Sequence, residues 1–158
     1  MSFVQDRVDI ETRLNSNWST TAIAWDNVPY VPAPGTPWVK CQILPSDVNA
    51  LEFGRDTLKA FTGIIDIGIF TPKSSGSATA REYADTLSAL FDMVEFGINQ
   101  SRIAESGDTR ITEAEDTRAT EDLVLGRVDC DEASVQNRGI EDDWYQLAVL
   151  IPFTRREA

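Results

Sequence analysis

GIIDIGIFTPKSSGSATAREYADTLSALFDMV, residues Gly63–Val94, carries two opposite periodicities in one stretch. Extended back to Asp56, its first part alternates. Phe61, Ile65, Ile67 and Ile69 fall on one side, and Ala60, Ile64 and Phe70 on the other, with Asp66 and Gly68 between them. Period two is the mark of a strand. Both sides turn apolar toward Phe70, so the pattern predicts a long strand over Asp56–Phe70 that is central in its sheet and covered on two faces. Gly63 and Gly68 are expected to mark bulges or close backbone approach. Asp66 is either a lone buried carboxylate or a residue lining an open sheet face; the second is expected, because carboxylates are seldom buried without a partner.

Thr71–Ser77 contains no apolar residue and reads as a turn. Beyond it, Ala80, Tyr83, Ala84, Leu87, Leu90, Phe91 and Val94 step by three and four, which predicts an amphipathic helix. Thr79 and Glu82 have the spacing of a capping box at its start. A Ser/Gly-rich turn before a helix could cradle a phosphate. The G-x-x-x-x-G-K-[ST] pattern is absent, however, and an ordinary strand-to-helix turn is the expectation.

Ser2 and Gln5 fit another capping box, and Val4, Val8, Ile10, Leu14 and Trp18 form a rough helical stripe, so a helix is expected over Phe3–Asn15. Thr20–Trp25 is a short β-prone run. VPYVPAPGTP, residues 28–37, then holds four of the seven prolines. Proline cannot donate to a ladder or sit inside a helix, so this is an extended, polyproline-like loop. It is either a stiff surface connector or a partner-binding arm with Trp25, Tyr30 and Trp38 as anchors, since Trp and Tyr lead interface hot spots. Trp38–Leu44 alternates as a strand, with Val39, Cys41 and Ile43 inward and Pro45 as its stop. Ser46–Arg55 reads as a loop.

Residues 95–143 carry 14 acidic and 5 basic residues, a net of −9 out of the chain's −12. Short β-prone pieces within Arg110–Glu115 and Asp122–Asp129 suit an extended hairpin or a segment that orders only on assembly. Asp129, Asp131 and Glu132 could be offered as a calcium or magnesium site. They lack the spacing and mid-loop glycine of an EF-hand, and a solvated acidic loop is expected. Asp143–Arg156 alternates again. Tyr145, Leu147, Val149, Ile151 and Phe153 lie on one face, and Trp144, Gln146, Ala148 and Leu150 on the other; Pro152 suggests a sheet edge or strand end.

Together these elements predict an α+β fold. It is a two-layer sandwich with a mainly antiparallel sheet of about four to five strands and two helices packed on one face. Residues 1–158 are read as a single domain with an acidic insertion or hairpin at about 97–138. The other sheet face, bearing Ile64 and Phe70, needs a cover, and a neighbouring copy is the economical one.

The composition narrows the chemistry. No histidine is present, which removes Ser-His-Asp and Cys-His mechanisms and His-based zinc sites. A carboxylate-based, metal-dependent hydrolase using Asp66, Asp129 and Asp131 is the enzymatic alternative, but these residues share no ligand-spaced motif. No catalytic, cofactor or metal residue is assigned. A pI near 4.3 argues against free-standing nucleic-acid binding. No stretch approaches the ~18 apolar residues of a membrane span, and no signal peptide is evident at the N-terminus. Cys41 and Cys130 are expected to be free, reduced thiols of a cytosolic protein, with a disulfide or redox pair as the alternative.

The order of pieces is distinctive: W-D-N-x-P-Y at Trp25–Tyr30, P-W-V at Pro37–Val39, F-T-P at Phe70–Pro72 and W-Y-Q at Trp144–Gln146. In that order they resemble the tail terminator proteins of long-tailed bacteriophages, the lambda-type minor tail or tail-completion group. The resemblance covers residues 1–96 and 139–156. It implies a non-enzymatic structural virion protein without cofactor. Such a protein caps the tail tube, ends its polymerisation and offers the head-docking surface, as a homo-hexameric ring through which DNA passes without specific binding. The implied partners are further copies, the tail tube protein and a head-completion or neck protein, with no membrane. The implied location is the head-proximal end of the virion tail, and the host cytoplasm during assembly. Another neck, head-completion or tube subunit, or a small non-phage protein-binding module, is the alternative. Trp25, Tyr30, Trp38, Ile64 and Phe70 are the candidate assembly contacts.

Overall fold

Apolar residues two apart along three long strands meet apolar residues three and four apart along two helices, and that match sets the architecture. The computed structural model describes residues 3–51, 59–97 and 126–157. The elements are α1 (Phe3–Asn17), β1 (Ala22–Ala24), β2 (Trp38–Ala50), β3 (Lys59–Pro72), α2 (Ala78–Phe91), β4 (Glu95–Phe96), β5 (Val128–Cys130), β6 (Ser134–Glu141) and β7 (Trp144–Glu157). One sheet runs in the order β1-β2-β3-β7-β5-β4, with β6 also paired to β7. The expected α+β class and the placement of both helices on one face are present. Among the described residues the sheet has seven strands, more than expected, and it is mixed, because β1 pairs parallel to β2.

β3 is central, between β2 and β7, in continuous antiparallel register from Lys59–Glu157 to Pro72–Trp144. Its odd-numbered face supplies Ile65, Ile67 and Ile69, all fully buried, against Val39 and Cys41 of β2 and Val149, Ile151 and Phe153 of β7. α2 closes this face with Ala80, Ala84, Leu87 and Phe91. Fully burying Leu87 or Phe91 contributes about 2 kcal/mol each from apolar area alone. The helix starts two residues earlier than its sequence suggests: Ser77 is the N-cap, without a side-chain cap bond, and Thr79 lies inside the helix, so no capping box forms.

α1 follows its sequence in length but not in facing. Val4 and Val8 are 69% and 47% exposed, and the buried line is Asp6, Ile10, Leu14 and then Trp18. A four-residue repeat begun by an aspartate is invisible to a search for apolar residues. The carboxylate tolerates burial because Arg155 of β7 meets it (Nη1 to Asp6 Oδ1, 3.1 Å) and also meets Asp9 (2.9 Å).

Proline misled twice. β2 does not stop at Pro45 but continues to Ala50 through a bulge between Pro45 and Val48, where Thr62 Oγ1 accepts from Asp47 N and donates to Asp47 O, both at 3.2 Å. Pro152 is not at an edge or end but inside β7, one residue before the pairing with β5 and two after that with β6. Its carbonyl turns to that outer side and accepts from Asp131 N at 2.9 Å, so the missing N–H falls at the seam between β6 and β5 and costs β3 nothing. Gly63 does mark a close approach: a Cβ there would lie 2.6 Å from Phe153 Cε1 and 2.9 Å from Leu44 O.

The acidic span expected at 97–138 lies largely outside the described residues, which resume at 126; the β-prone piece at Arg110–Glu115 and the start of the one at Asp122–Asp129 lie outside as well. So does Asp56, the expected start of the central strand. Where the chain leaves, at Gly97 after β4, and where it returns, at Gly126 before β5, are adjacent: a Cβ on Gly97 would sit 3.5 Å from Gly126 O. β6 was not expected from the acidic composition; it forms a hairpin with β7 through Asp142 (φ 53°) and Asp143.

Candidate assembly surfaces

The alternation that buries odd residues of β3 against the helices turns its even residues to the opposite face. Register then aligns Trp38, Phe70 and Gln146 in one row across β2, β3 and β7. Trp38 stacks flat on Phe70, with centroids 4.0 Å apart and planes at 5°. Tyr30 leans on Trp38 from the proline arm at 5.2 Å, and Trp144 meets it edge-on at 6.1 Å. Three of the five expected contacts, Tyr30, Trp38 and Phe70, are thus one cluster. Ile64 is on the same face but three rows away, 37% exposed beside Leu44 and Pro152. Trp25 is turned back to pack against the helix-side core. Trp144, which completes the cluster, was on the correct face by alternation but was not singled out.

Between the two apolar ends lies Asp66. It is neither alone nor on an open face: it is 7% exposed, and Arg138 Nη2 of β6 reaches its Oδ2 at 2.6 Å. Arg138 stands at a bulge between Asn137 and Gly139. That bulge is the local irregularity that re-aims its side chain.

Residues 25–37 connect β1 to β2 without helix or strand, turning at Gly35 (φ 71°) with Thr36 N donating to Ala33 O at 3.1 Å. An open cleft of about 410 Å³ separates this arm from the sheet, walled by Trp25, Val28, Tyr30, Trp38 and Lys40. Val28 and Val31 are 52% and 90% exposed.

The sheet also ends in open edges. Among the described residues β1 pairs only with β2, and β6 only with β7. β6 is exposed on both faces over nearly its whole length. Following the ladder, β1 runs with β2, against β3, with β7 and against β6.

Cys41 and Cys130 are free and buried, and burial pushes each thiol up to about 12, so neither is a thiolate at neutral pH. Asp129 is not in a loop but in β5, opposite Glu95 and Thr154; burial, then the Glu95 carboxylate, raises its pKa. Asp131 and Glu132 are exposed in the link to β6. Asp66 and Asp129 sit beside Leu150 and Thr154 of β7, four residues apart along that strand. Among the described residues no three His, Cys, Asp or Glu side chains gather as metal ligands, and no helix is long and apolar enough to cross a membrane.

Comparison with known proteins adds two similarities. A family model described as phage tail terminator protein matches residues 8–153. A solved structure that is 16% identical superposes with a TM-score of 0.64, covering 100% of this chain and 98% of its own; at that identity the likeness shows the fold alone. No curated protein matches the chain.

Proposed function

The chain belongs to the phage tail terminator family, structural rather than enzymatic proteins of the bacteriophage tail, and on that premise we propose that it caps the head-proximal end of a tail tube as a hexameric ring. In this reading it ends tube polymerisation and presents the surface on which a head-completion or neck protein docks, and DNA passes through without specific binding. The observation that carries the ring is the pair of open edges. β1 and β6 lie on opposite sides of the sheet, run antiparallel to each other, and occupy the same rows: Ala22–Ala24 stand level with Trp38–Lys40, and Gln136–Gly139 level with the same rows across β3 and β7. A copy displaced sideways without inversion therefore offers its β1 to β6 in antiparallel sense. Such a head-to-tail contact closes into a ring when its rotation allows, and it removes edges that would otherwise template aggregation.

The net charge of −12 suits a channel that must not hold passing DNA, since like charge repels the polymer. The acidic span at about 97–138 is read as an addition to a single terminator-like domain.

Solution mass by light scattering, at low and high salt, followed by negative-stain imaging, tests the ring. A mass near six subunits with visible rings supports it. Long tubes would favour a tube subunit instead, and a monomer under every condition would favour a small protein-binding module.

A further inference from the structure

We propose that the cavity between α1 and β2 takes an arginine side chain of a partner protein, with its guanidinium at Asp6 and its stem against Ile43 and Phe153. This goes beyond the ring and does not depend on it.

α1 and β2 enclose a cavity of about 210 Å³. That is below the roughly 300–1,000 Å³ of small-molecule pockets, and it suits one long side chain. Its lining grades from buried to exposed. Asp6, Cys41 and Phe153 are buried, Glu11 and Ile43 half-buried, and Phe3, Arg7 and Asp26 exposed. A side chain entering from solvent therefore passes an acidic rim. At the bottom it meets two apolar groups and one carboxylate.

That carboxylate carries the argument. Asp6 is 4% exposed, and its cation, Arg155, is shared with Asp9 and Glu157. One guanidinium thus answers three carboxylates. The shortfall is visible in the Asp6 carboxyl, whose pKa is raised by burial in spite of Arg155. An incompletely paired buried charge is costly, so a second cation that reaches it is held there. At the rim, Glu11 is engaged by Arg7 at 2.7 Å, in an i,i+4 pair whose arginine is 60% exposed. Such pairs are weak and leave Glu11 open to a competitor. Three carboxylates line the cavity against the one cation of Arg7, which favours the entry of positive charge.

The chemistry selects arginine. A guanidinium is more weakly hydrated than an ammonium, forks onto carboxylates and lies well on aromatic faces, and both Phe3 and Phe153 line the cavity. Among the described residues no three ligands gather for a metal ion instead. The carrier is a protein, because exposed apolar surface flanks the entrance. Phe3, 48% exposed and fixed edge-on to Phe61, and Pro45 offer contact to the residues on either side of the arginine.

The test is amide NMR of the full chain, titrated with acetyl-Gly-Arg-Gly-amide and with its citrulline and lysine counterparts. The arginine peptide is expected to shift the Asp26, Cys41 and Ile43 amides saturably. The neutral citrulline peptide should leave them in place. With the arginine peptide bound, the Asp6 carboxyl, followed by carbon NMR, should lose its proton at lower pH. Asp6→Asn should weaken binding about tenfold or more while the chain stays folded. No saturable shift, equal shifts with citrulline, or undiminished binding by a folded Asp6→Asn chain overturns the proposal. Equal binding of the lysine peptide overturns the assignment to arginine. None of these outcomes bears on the ring, which the solution mass reads separately.

Discussion

Arg138 on β6 reaches across β7 to Asp66 on β3, placing Nη2 2.6 Å from Oδ2. The pair ties an edge strand to the centre of the sheet. The other oxygen, Asp66 Oδ1, is buried without a partner. Removing the cation therefore leaves a largely buried carboxylate without its counter-charge. Arg138→Ala is expected to cost about 1–3 kcal/mol, less than a fully buried pair because the Arg138 side chain is 40% exposed. The double variant Arg138→Ala/Asp66→Ala should recover most of the loss. Urea denaturation of the single and double variants checks this, and equal losses in both would mean that the charge pairing is not what matters.

Arg155 serves three carboxylates at once, those of Asp6, Asp9 and Glu157, with its own side chain 4% exposed. Arg155→Met should cost about 3–5 kcal/mol, because buried charges are left uncompensated. Asp6→Asn should be far milder, within about 1 kcal/mol at neutral pH. Burial, the largest influence, outweighs Arg155 and raises the Asp6 pKa above 3.8. A carboxyl with a raised pKa binds its proton more readily when folded, so its contribution to stability falls as pH rises past 3.8. Relative to the parent chain, Asp6→Asn should therefore gain as pH rises from 3.8, which thermal melts at successively higher pH would read.

Two substitutions to aspartate separate the faces of the helices. Leu87→Asp places a charge at a fully buried position of α2 and should abolish folding. Val4→Asp, at a 69% exposed position of α1, should shift stability by no more than about 0.5 kcal/mol. Circular dichroism and a single melt for each variant decide the matter; a folded Leu87→Asp chain would contradict the packing of α2.

Both thiols titrate near 12 in the folded chain against an ordinary value of 9.0. Their contribution is fully present below pH 9.0 and is lost as pH rises toward 12, at up to ~1.4 kcal/mol per pH unit for each thiol. Urea midpoints at pH 8, 9 and 10 should thus fall less steeply in a Cys41→Ala/Cys130→Ala chain than in the parent. Parallel slopes would show that the thiols are not responsible.

How much was legible follows from what each residue type can announce. The central strand, α2 and the closing strand were plain, because Ile65, Ile67, Ile69, Leu87 and Val149 are apolar where the core needs apolar atoms. Asp6 and Asp66 were not, because each is buried only by virtue of an arginine distant in sequence, Arg155 and Arg138. Pro45 and Pro152 read as strand ends because nothing local shows that a bulge or a seam will absorb the missing donor. β6 was hidden by its own surroundings: Val135 and Ile140 sit among acidic residues and bury little. On the assembly surface, aromaticity pointed to Tyr30, Trp38 and Phe70, but only register across β7 adds Trp144.

The meeting of Gly97 and Gly126 has a consequence for how such a chain can change over time. The β4–β5 ladder is closed whatever stands between those glycines, and closing a longer loop costs only ~0.6 kcal/mol per doubling of its length. The cost of closing that ladder therefore changes little with the number of residues between the two glycines. Whatever distinguishes one terminator of this fold from another has an inexpensive place to be written.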